Sequence, residues 1–435
     1  MTTYTDEYKR KLTTPQKAAA LVKNGGQLVH GSMIAEPPAL LGAIAARLRS
    51  GDLKKLQVFS NLPTKYAATT VLSPDLSDCV EAYSWFLTPV DRGSVRVGLN
   101  YYVPNHQYQI PRLFHDHMDI DTVVTTVSPM DEAGFFTFGV VNDYTCESAR
   151  SCKKLIVEVN KNMPRIFGDT LVHVSEVTAI VENHVPLLEV TEPEPKAEDE
   201  LIARLIAEMV PDGATIELGL GGIPNAIASN LSGHKDLGVH SGLLVPSMID
   251  LIEQGVITGR RKNLHPRKNV FAVAQGTRRL YDFIDNNPSM ECRPCSYTEN
   301  PDIIALNDNM IAINTIIEVD LTGQCNAEYM AGSQFSGTGG QMAFVQGAFN
   351  SKGGKSIQAF YTTAKNGKVS RVVPRLGRGT VVTVPRNDVQ YLVTEYGAVN
   401  LKGKSTRDRA LSIIGIAHPD FRDDLMQAAE DMYLL

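Results

Sequence analysis

A chain of 435 residues exceeds what one ordinary hydrophobic core organises and predicts two or three domains, and its 43% hydrophobic and 21% charged residues are those of a folded globular protein. Its 42 basic residues against 48 acidic ones leave a net charge of −6, which supplies no overall positive field for nucleic acid or an acidic membrane. The 6 cysteines are too sparse for a disulfide framework, no apolar run reaches the length of a membrane span, and "MTTYTDEYKRKLTTPQ" lacks the apolar core of a signal peptide, so a cytoplasmic protein is expected.

In chain order, "ALVKNGGQLVHGSMIAEPPALLGAIAARL" (Ala20–Leu48) reads as a helix end, a Gly turn, a short strand, a turn of small residues, a proline and a helix. "HDH" at His115–His117 alternates, which on a strand would put both imidazoles on one side and make a weak candidate for metal. "VVTTVS" and "KLIVEVN" follow as strands. "VTEPEPKAEDE" (Val190–Glu200), with two prolines among acidic residues, suits a solvated linker and places a boundary near residue 195, between domains 1–190 and 201–435. "DELIARLIAEM" then reads as a helix with Leu201, Leu205 and Met209 on one face.

The order seen near the N-terminus recurs in "AEMVPDGATIELGLGGIPNAIASNL" (Ala207–Leu231). Gly26 to Pro37 and Gly213 to Pro224 are both separated by 11 residues, which argues for two domains built on one plan. Strands alternating with helices imply α/β domains with largely parallel sheets, in which ligands gather at the carboxyl ends of strands, so a cleft between the halves is the expected site. Gly219, Gly221 and Gly222 stand at such a strand-to-helix turn, where missing Cβ atoms admit a ligand to the backbone and a helix start offers N–H donors to an oxyanion. The dinucleotide and Walker patterns are both unmet there, because Pro224 replaces the third glycine and no Gly-Lys-Ser/Thr follows. "GRRKNLHPRKN" (Gly259–Asn269) is either a solvated loop or a site for phosphates, and the lone pair Cys292 and Cys295 in "ECRPC" has redox or zinc spacing without a second pair.

"LGLGGIPNAIASNL", "NDNMIAINTIIEVDLTGQ", "GSQFSGTGGQMAFVQGA", "TTAKNGKVSRVVP", "VTEYGAVNLKGKSTRDRALSIIGIAHPDFR" and, in the first half, "SPMDEAGFFTFG" together resemble the acetyl-CoA hydrolase/transferase family, of the 4-hydroxybutyrate and butyrate CoA-transferase type, with the itaconate CoA-transferases as the nearest subtype. The resemblance implies two similar open α/β domains of the CoA-transferase (NagB-like) type with a cleft between them. It implies transfer of CoA from an acyl-CoA, such as succinyl-CoA or acetyl-CoA, to a small carboxylic acid such as itaconate, 4-hydroxybutyrate or butyrate, with coenzyme A thioester as substrate, no tightly bound cofactor, and a homodimer or homotetramer. Acyl-CoA hydrolysis is the alternative activity. Gly219, Leu220, Gly221, Gly222 and Ile223 are then expected along the thioester path. Gly337, Gly339 and Gly340 would let the pantetheine arm pass the backbone, and Lys365 would meet a phosphate or the substrate carboxylate. Met33, Tyr83 and Tyr329 would shape the acyl pocket.

Such enzymes work through a glutamate that becomes a mixed anhydride and then a glutamyl-CoA thioester. The resemblance places that glutamate about twenty residues after the Gly turn, in a context like "LGIHTE". Here the segment is "DLGVHSGLLVPSMIDL", with Gly242 at the expected position and no Asp or Glu between Asp236 and Asp250. Glu299 in "YTENPD", which otherwise reads as an exposed loop glutamate, and Glu36 in "AEPP", which otherwise reads as a charge at a helix N-terminus, are the candidate substitute carboxylates. Ser241 beside His240 is an improbable dyad, since neighbouring strand residues face opposite ways. A protein that keeps acyl-CoA affinity without a nucleophile is a further reading.

Overall fold

A computed structural model describes residues 3–219 and 221–435. It forms two compact units. The first comprises the chain up to Val190 with Val270–Thr298 and Gln334–Gly339; the second comprises Thr191–Asn269, Glu299–Ser333 and Gly340–Leu435. The single boundary expected near residue 195 accounts only for the first crossing. Later segments return to the first unit because their backbones bond there: Asn142 donates to the Ala272 carbonyl at 3.0 Å, Ala274 to Val140 at 2.7 Å, and Gln107 to Gly339 at 3.0 Å.

In the first unit seven strands run in the order Ala179–Glu182, Lys154–Val159, Ile120–Val127, Gln27–His30, Leu56–Ser60, Val80–Ser84 and Asn100–Tyr102, and every ladder is parallel. Successive side chains of a strand face opposite layers. Leu28, Val58, Val124 and Ile156 accordingly belong to one apolar cluster, with Leu40, Leu41 and Ile44 of the helix Pro38–Arg49. Val29, Phe59, Val123 and Val157 belong to another, with Trp85, Phe114 and Tyr144. Both faces are covered, which is why Ile120–Val127 is buried along its whole length.

In the second unit the strands run Gly397–Asn400, Tyr391–Thr394, Lys355–Ala359, Met310–Thr315, Thr215–Leu218 and Gly238–Leu244, all parallel except the first pair. The two units share one order. In each, the first strand sits centrally, the next pairs on one side of it, and the chain later returns to the other side. The two repeated turns, after His30 and after Leu218, therefore both stand at points where strand order reverses, the position at which such sheets leave a crevice beyond the strand ends.

The helix Ala197–Ala207 carries a buried stripe of Asp199, Ile202, Ala203 and Ile206, whereas Leu201, on the face it shares with Leu205, is 47% exposed. The inward face is set by this stripe, about a third of a turn from the leucines. His115 lies on the helix Ile110–Asp116 and His117 caps it, so "HDH" is not a strand. Among the described residues no helix is long and apolar enough to cross a membrane.

The helix Gln341–Asn350 packs on the short helix Pro301–Ile304 through Gly347, where a Cβ would come within 2.6 Å of Ile304 Cβ and 3.0 Å of the Pro301 carbonyl oxygen. This approach seats the segment that begins at Glu299. Alanine favours a helix over glycine by about 1 kcal/mol, yet Gly347→Ala is expected to destabilise the protein, by about 1–3 kcal/mol, because crowding outweighs propensity. Denaturant unfolding of the variant checks the sign.

Candidate active site

The strand Thr215–Leu218 ends in the expected turn, and the helix Gly222–Asn230 starts directly behind it. Gly221 has a φ of 138°, open to glycine but rarely to other residues, which fixes why that position is glycine. Gly222 has a different reason. A Cβ there would stand 2.7 Å from Asp199 Oδ2. Asp199 is buried and accepts from the Tyr361 hydroxyl at 2.6 Å and the Lys196 N–H at 2.7 Å, so the turn is braced from behind by this carboxylate. Gly219 faces open space, with nothing within 4 Å of its would-be Cβ, and Ile223 is buried. Leu220 lies outside the described residues.

Beside this turn, the strand Gly238–Leu244 brings up Gly242. Ser241 donates to the Leu243 carbonyl at 2.8 Å and reaches the Leu218 carbonyl at 3.5 Å, joining the two strand ends, so its hydroxyl serves the backbone; the neighbouring His240 is buried. Glu299, expected as an exposed loop residue, is only 6% exposed. Its Oε1 stands 2.9 Å from where a Gly242 Cβ would be, and its Oε2 stands 2.3 Å from the Cβ position of Gly340. The carboxylate thus fills the space that both glycines leave.

Sequence reasoning missed the polar file along the same strand ends. Glu217, one strand position before Leu218, accepts from the Ile313 N–H at 3.2 Å and from Asn314 Nδ2 at 3.0 Å. Asn314 pairs in register with Gln358, to which Gln341 donates at 2.6 Å. A polar residue inside each of the apolar runs "TIEL", "AINT" and "SIQA" was the available signal.

Residues 1–189 match the acetyl-CoA hydrolase/transferase N-terminal domain and residues 276–429 the C-terminal domain of the same family. The chain is 41% identical over 99% of its length, and 97% of the relative's, to a succinyl-CoA:cyclohexane-1-carboxylate CoA transferase of Geobacter metallireducens. It is 40% identical to a 4-hydroxybutyrate coenzyme A transferase of Clostridium kluyveri, over 96% and 97% of the two chains. The solved structure of RipA from Yersinia pestis superposes with a TM-score of 0.97 at 45% identity, covering the whole of both chains. The chain belongs to the acetyl-CoA hydrolase/transferase family.

As a member of that family it is an enzyme of the CoA-transferase type, and the remaining candidate residues divide between its two units. In the second unit, Lys365 sits at a hairpin tip with a φ of 51° and lines an open cavity of about 660 Å³ with Lys196, Arg371, Tyr361, Tyr396 and His418. Asp199 links this cavity, through Tyr361, to the Gly turn. Tyr329 is in this unit and Met33 and Tyr83 are in the first.

Within the first unit, Glu36 is buried, with a carboxylate held by the N–H and hydroxyl of Thr64 and by the Ala67 N–H. Burial still pushes its carboxyl up to about 7. It is a cap for the helix Lys65–Ala68. Gly337 packs on the first unit's own chain, a Cβ there falling 2.5 Å from the Trp85 carbonyl, and Gly339, with a φ of 57°, lies against Phe86. Cys292 donates to the Ala272 carbonyl and Cys295 to that of Gln107, both at 3.2 Å, so the two thiols address different places. Arg260 and Arg261 of the basic stretch pair with Asp236, and Lys262 is buried with its ammonium on the Val239 and Lys268 carbonyls. That loop is structural at its core.

Burial pushes the Glu217 carboxyl up to about 8. A carboxyl raised in the folded state binds its proton more tightly there than when unfolded, so its stabilising share is complete below about pH 4.5 and is lost as pH rises toward 8. Glu217→Gln is expected to remove that share of the decline. Stability from urea unfolding at pH 5 and pH 8 should then differ by less in the variant than in wild type, the difference shrinking by on the order of 3 kcal/mol.

Proposed function

We propose that the enzyme transfers CoA from an acyl-CoA, such as succinyl-CoA or acetyl-CoA, to a short-chain or dicarboxylic acid such as itaconate, 4-hydroxybutyrate or butyrate. The observation that carries this reading is the near-complete match to relatives that are themselves named as CoA-transferases. The site supports it chemically. Each acyl exchange passes through a tetrahedral oxyanion, and N–H groups of an open Gly turn can stabilise it, one such donor being worth about 3 kcal/mol of barrier. In this reading the turn from Gly219 through Leu220, Gly221 and Gly222 to Ile223 lies along the thioester path. Gly219, with open space beside it, marks the closest approach.

The cavity at Lys365 suits the far end of CoA. Lys365, Lys196 and Arg371 supply cationic groups for phosphates, and Tyr361 and Tyr396 supply faces for a base. Gly340 falls beside Glu299, whereas Gly337 and Gly339 are explained by packing on Trp85 and Phe86. A pantetheine path along this loop therefore rests on Gly340 alone.

Gly242 at the position expected for the nucleophile favours a second reading, a protein that binds acyl-CoA without turnover. Incubating acyl-CoA donors with a panel of free acids separates the cases. New acyl-CoA formed faster than free CoA supports transfer, and free CoA released equally without acid supports hydrolysis. Tight acyl-CoA binding by calorimetry with neither product would sink the transferase reading. If transfer is found, Lys365→Ala should raise KM for the acyl-CoA about tenfold with kcat nearly unchanged, since a phosphate contact remote from the thioester binds ground and transition states alike.

A further inference from the structure

Glycine at positions 242 and 340 is not required by the backbone. Gly242 lies within the strand Gly238–Leu244 and has no positive φ, and Gly340 has an ordinary φ of −86° as the residue that opens the helix Gln341–Asn350. The Glu299 side chain is what needs both. A Cβ on Gly242 would stand 2.9 Å from Oε1 and 3.4 Å from Cδ, and one on Gly340 would stand 2.3 Å from Oε2 and 2.8 Å from Cδ. Contacts under 3.0 Å force a shift, so the carboxylate keeps its place only while both positions stay bare.

That place is where a side chain at 242 would begin, on the strand that Ser241 joins to the Leu218 carbonyl at the head of the open Gly turn. Gly242, Leu243 and Gly340 are all partly exposed, which leaves the carboxylate a route to a ligand. It also stands beside Gly340, at the start of a helix of ten residues.

We propose that Glu299 is the nucleophile of this enzyme, delivered from the segment before Pro301 into the space that Gly242 vacates. The proposal rests on the CoA-transferase reading above. In the first step a Glu299 carboxylate oxygen attacks the thioester carbonyl carbon, the C–S bond breaks, and CoA leaves as the thiolate, giving a mixed anhydride. The thiolate then attacks the glutamyl carbonyl carbon, the donor acid leaves as its carboxylate, and a glutamyl-CoA thioester remains. The acceptor carboxylate attacks that thioester carbon and repeats the two steps in reverse, ending with a new acyl-CoA and free Glu299. No oxidant, reductant or net proton is consumed.

The geometry makes positions 242 and 299 alternatives for one carboxylate. A glutamate at 242 and the present Glu299 would contend for the same volume, while Gly242→Glu combined with Glu299→Asn would return the group to the strand. Wild type incubated with acyl-CoA alone is expected to carry a CoA adduct that peptide mapping by mass spectrometry places on Glu299. Borohydride reduction should then modify that residue and abolish exchange. Glu299→Gln should lose exchange at least 1,000-fold while binding acyl-CoA within about threefold of wild type by calorimetry, with Gly242→Glu/Glu299→Asn regaining part of the loss. An adduct on another residue overturns the proposal, as does exchange in Glu299→Gln within threefold of wild type. Exchange by wild type with no adduct and no borohydride sensitivity overturns it too, and leaves the transferase reading standing. Absence of exchange in wild type across the acid panel overturns both. Should Glu299→Gln fail to fold, adduct mapping in wild type decides alone.

Discussion

Parallel pairing is the constraint on which the rest depends. When strands run in one direction, all their carboxyl ends emerge along one edge, and whatever the chain places in the last residues of each strand meets its neighbours there. In the second unit that edge gathers the Gly turn after Leu218, Gly242 on the adjacent strand, and Asn314 and Gln358 on the strands beyond. Residues from four separate stretches of sequence are thereby brought to one edge. The crossover helices that parallel strands require then supply helix starts at the same edge, those of Gly222–Asn230 and Gln341–Asn350.

Buried carboxylates show how differently one group can be used. Glu36 is met by three donors from Thr64 and Ala67 and does a cap's work. Asp199 is held by Tyr361 and Lys196 and braces Gly222. Glu217 ties two strands together, with an N–H and an amide as its partners. Around Glu299, glycines at 242 and 340 leave the volume that its carboxylate occupies.

The two halves, although laid out on one plan, have put the equivalent turn to different uses. After His30 the turn region carries Glu36, buried into its own unit's interior, with Met33 at a φ of 50°. After Leu218 the turn carries three glycines and open space. A duplicated architecture preserves where a crevice forms, while the residues lining it decide whether a ligand is admitted.

Periodicity and glycine placement were enough to read the alternating α/β pattern, the repeated strand-turn-helix and the Gly turn after Leu218, because each depends on residues close together in the chain, whereas the missing carboxylate at 242 was read from the family resemblance. The "ECRPC" and "HDH" spacings were weak signals for the matching reason: spacing along the chain does not say which carbonyl a thiol reaches, or that a helix intervenes. The return of Val270–Thr298 and Gln334–Gly339 to the first unit was not legible, since it is decided by backbone bonds to partners more than a hundred residues away. Nor was the burial of Glu299. Its loop reads as polar and solvated, and the packing of Gly347 on Ile304 and the two bare positions at 242 and 340 give its carboxylate an inward place. Local chemistry was written in the order of residues; the company each residue keeps was settled by close packing, which no stretch of sequence contains.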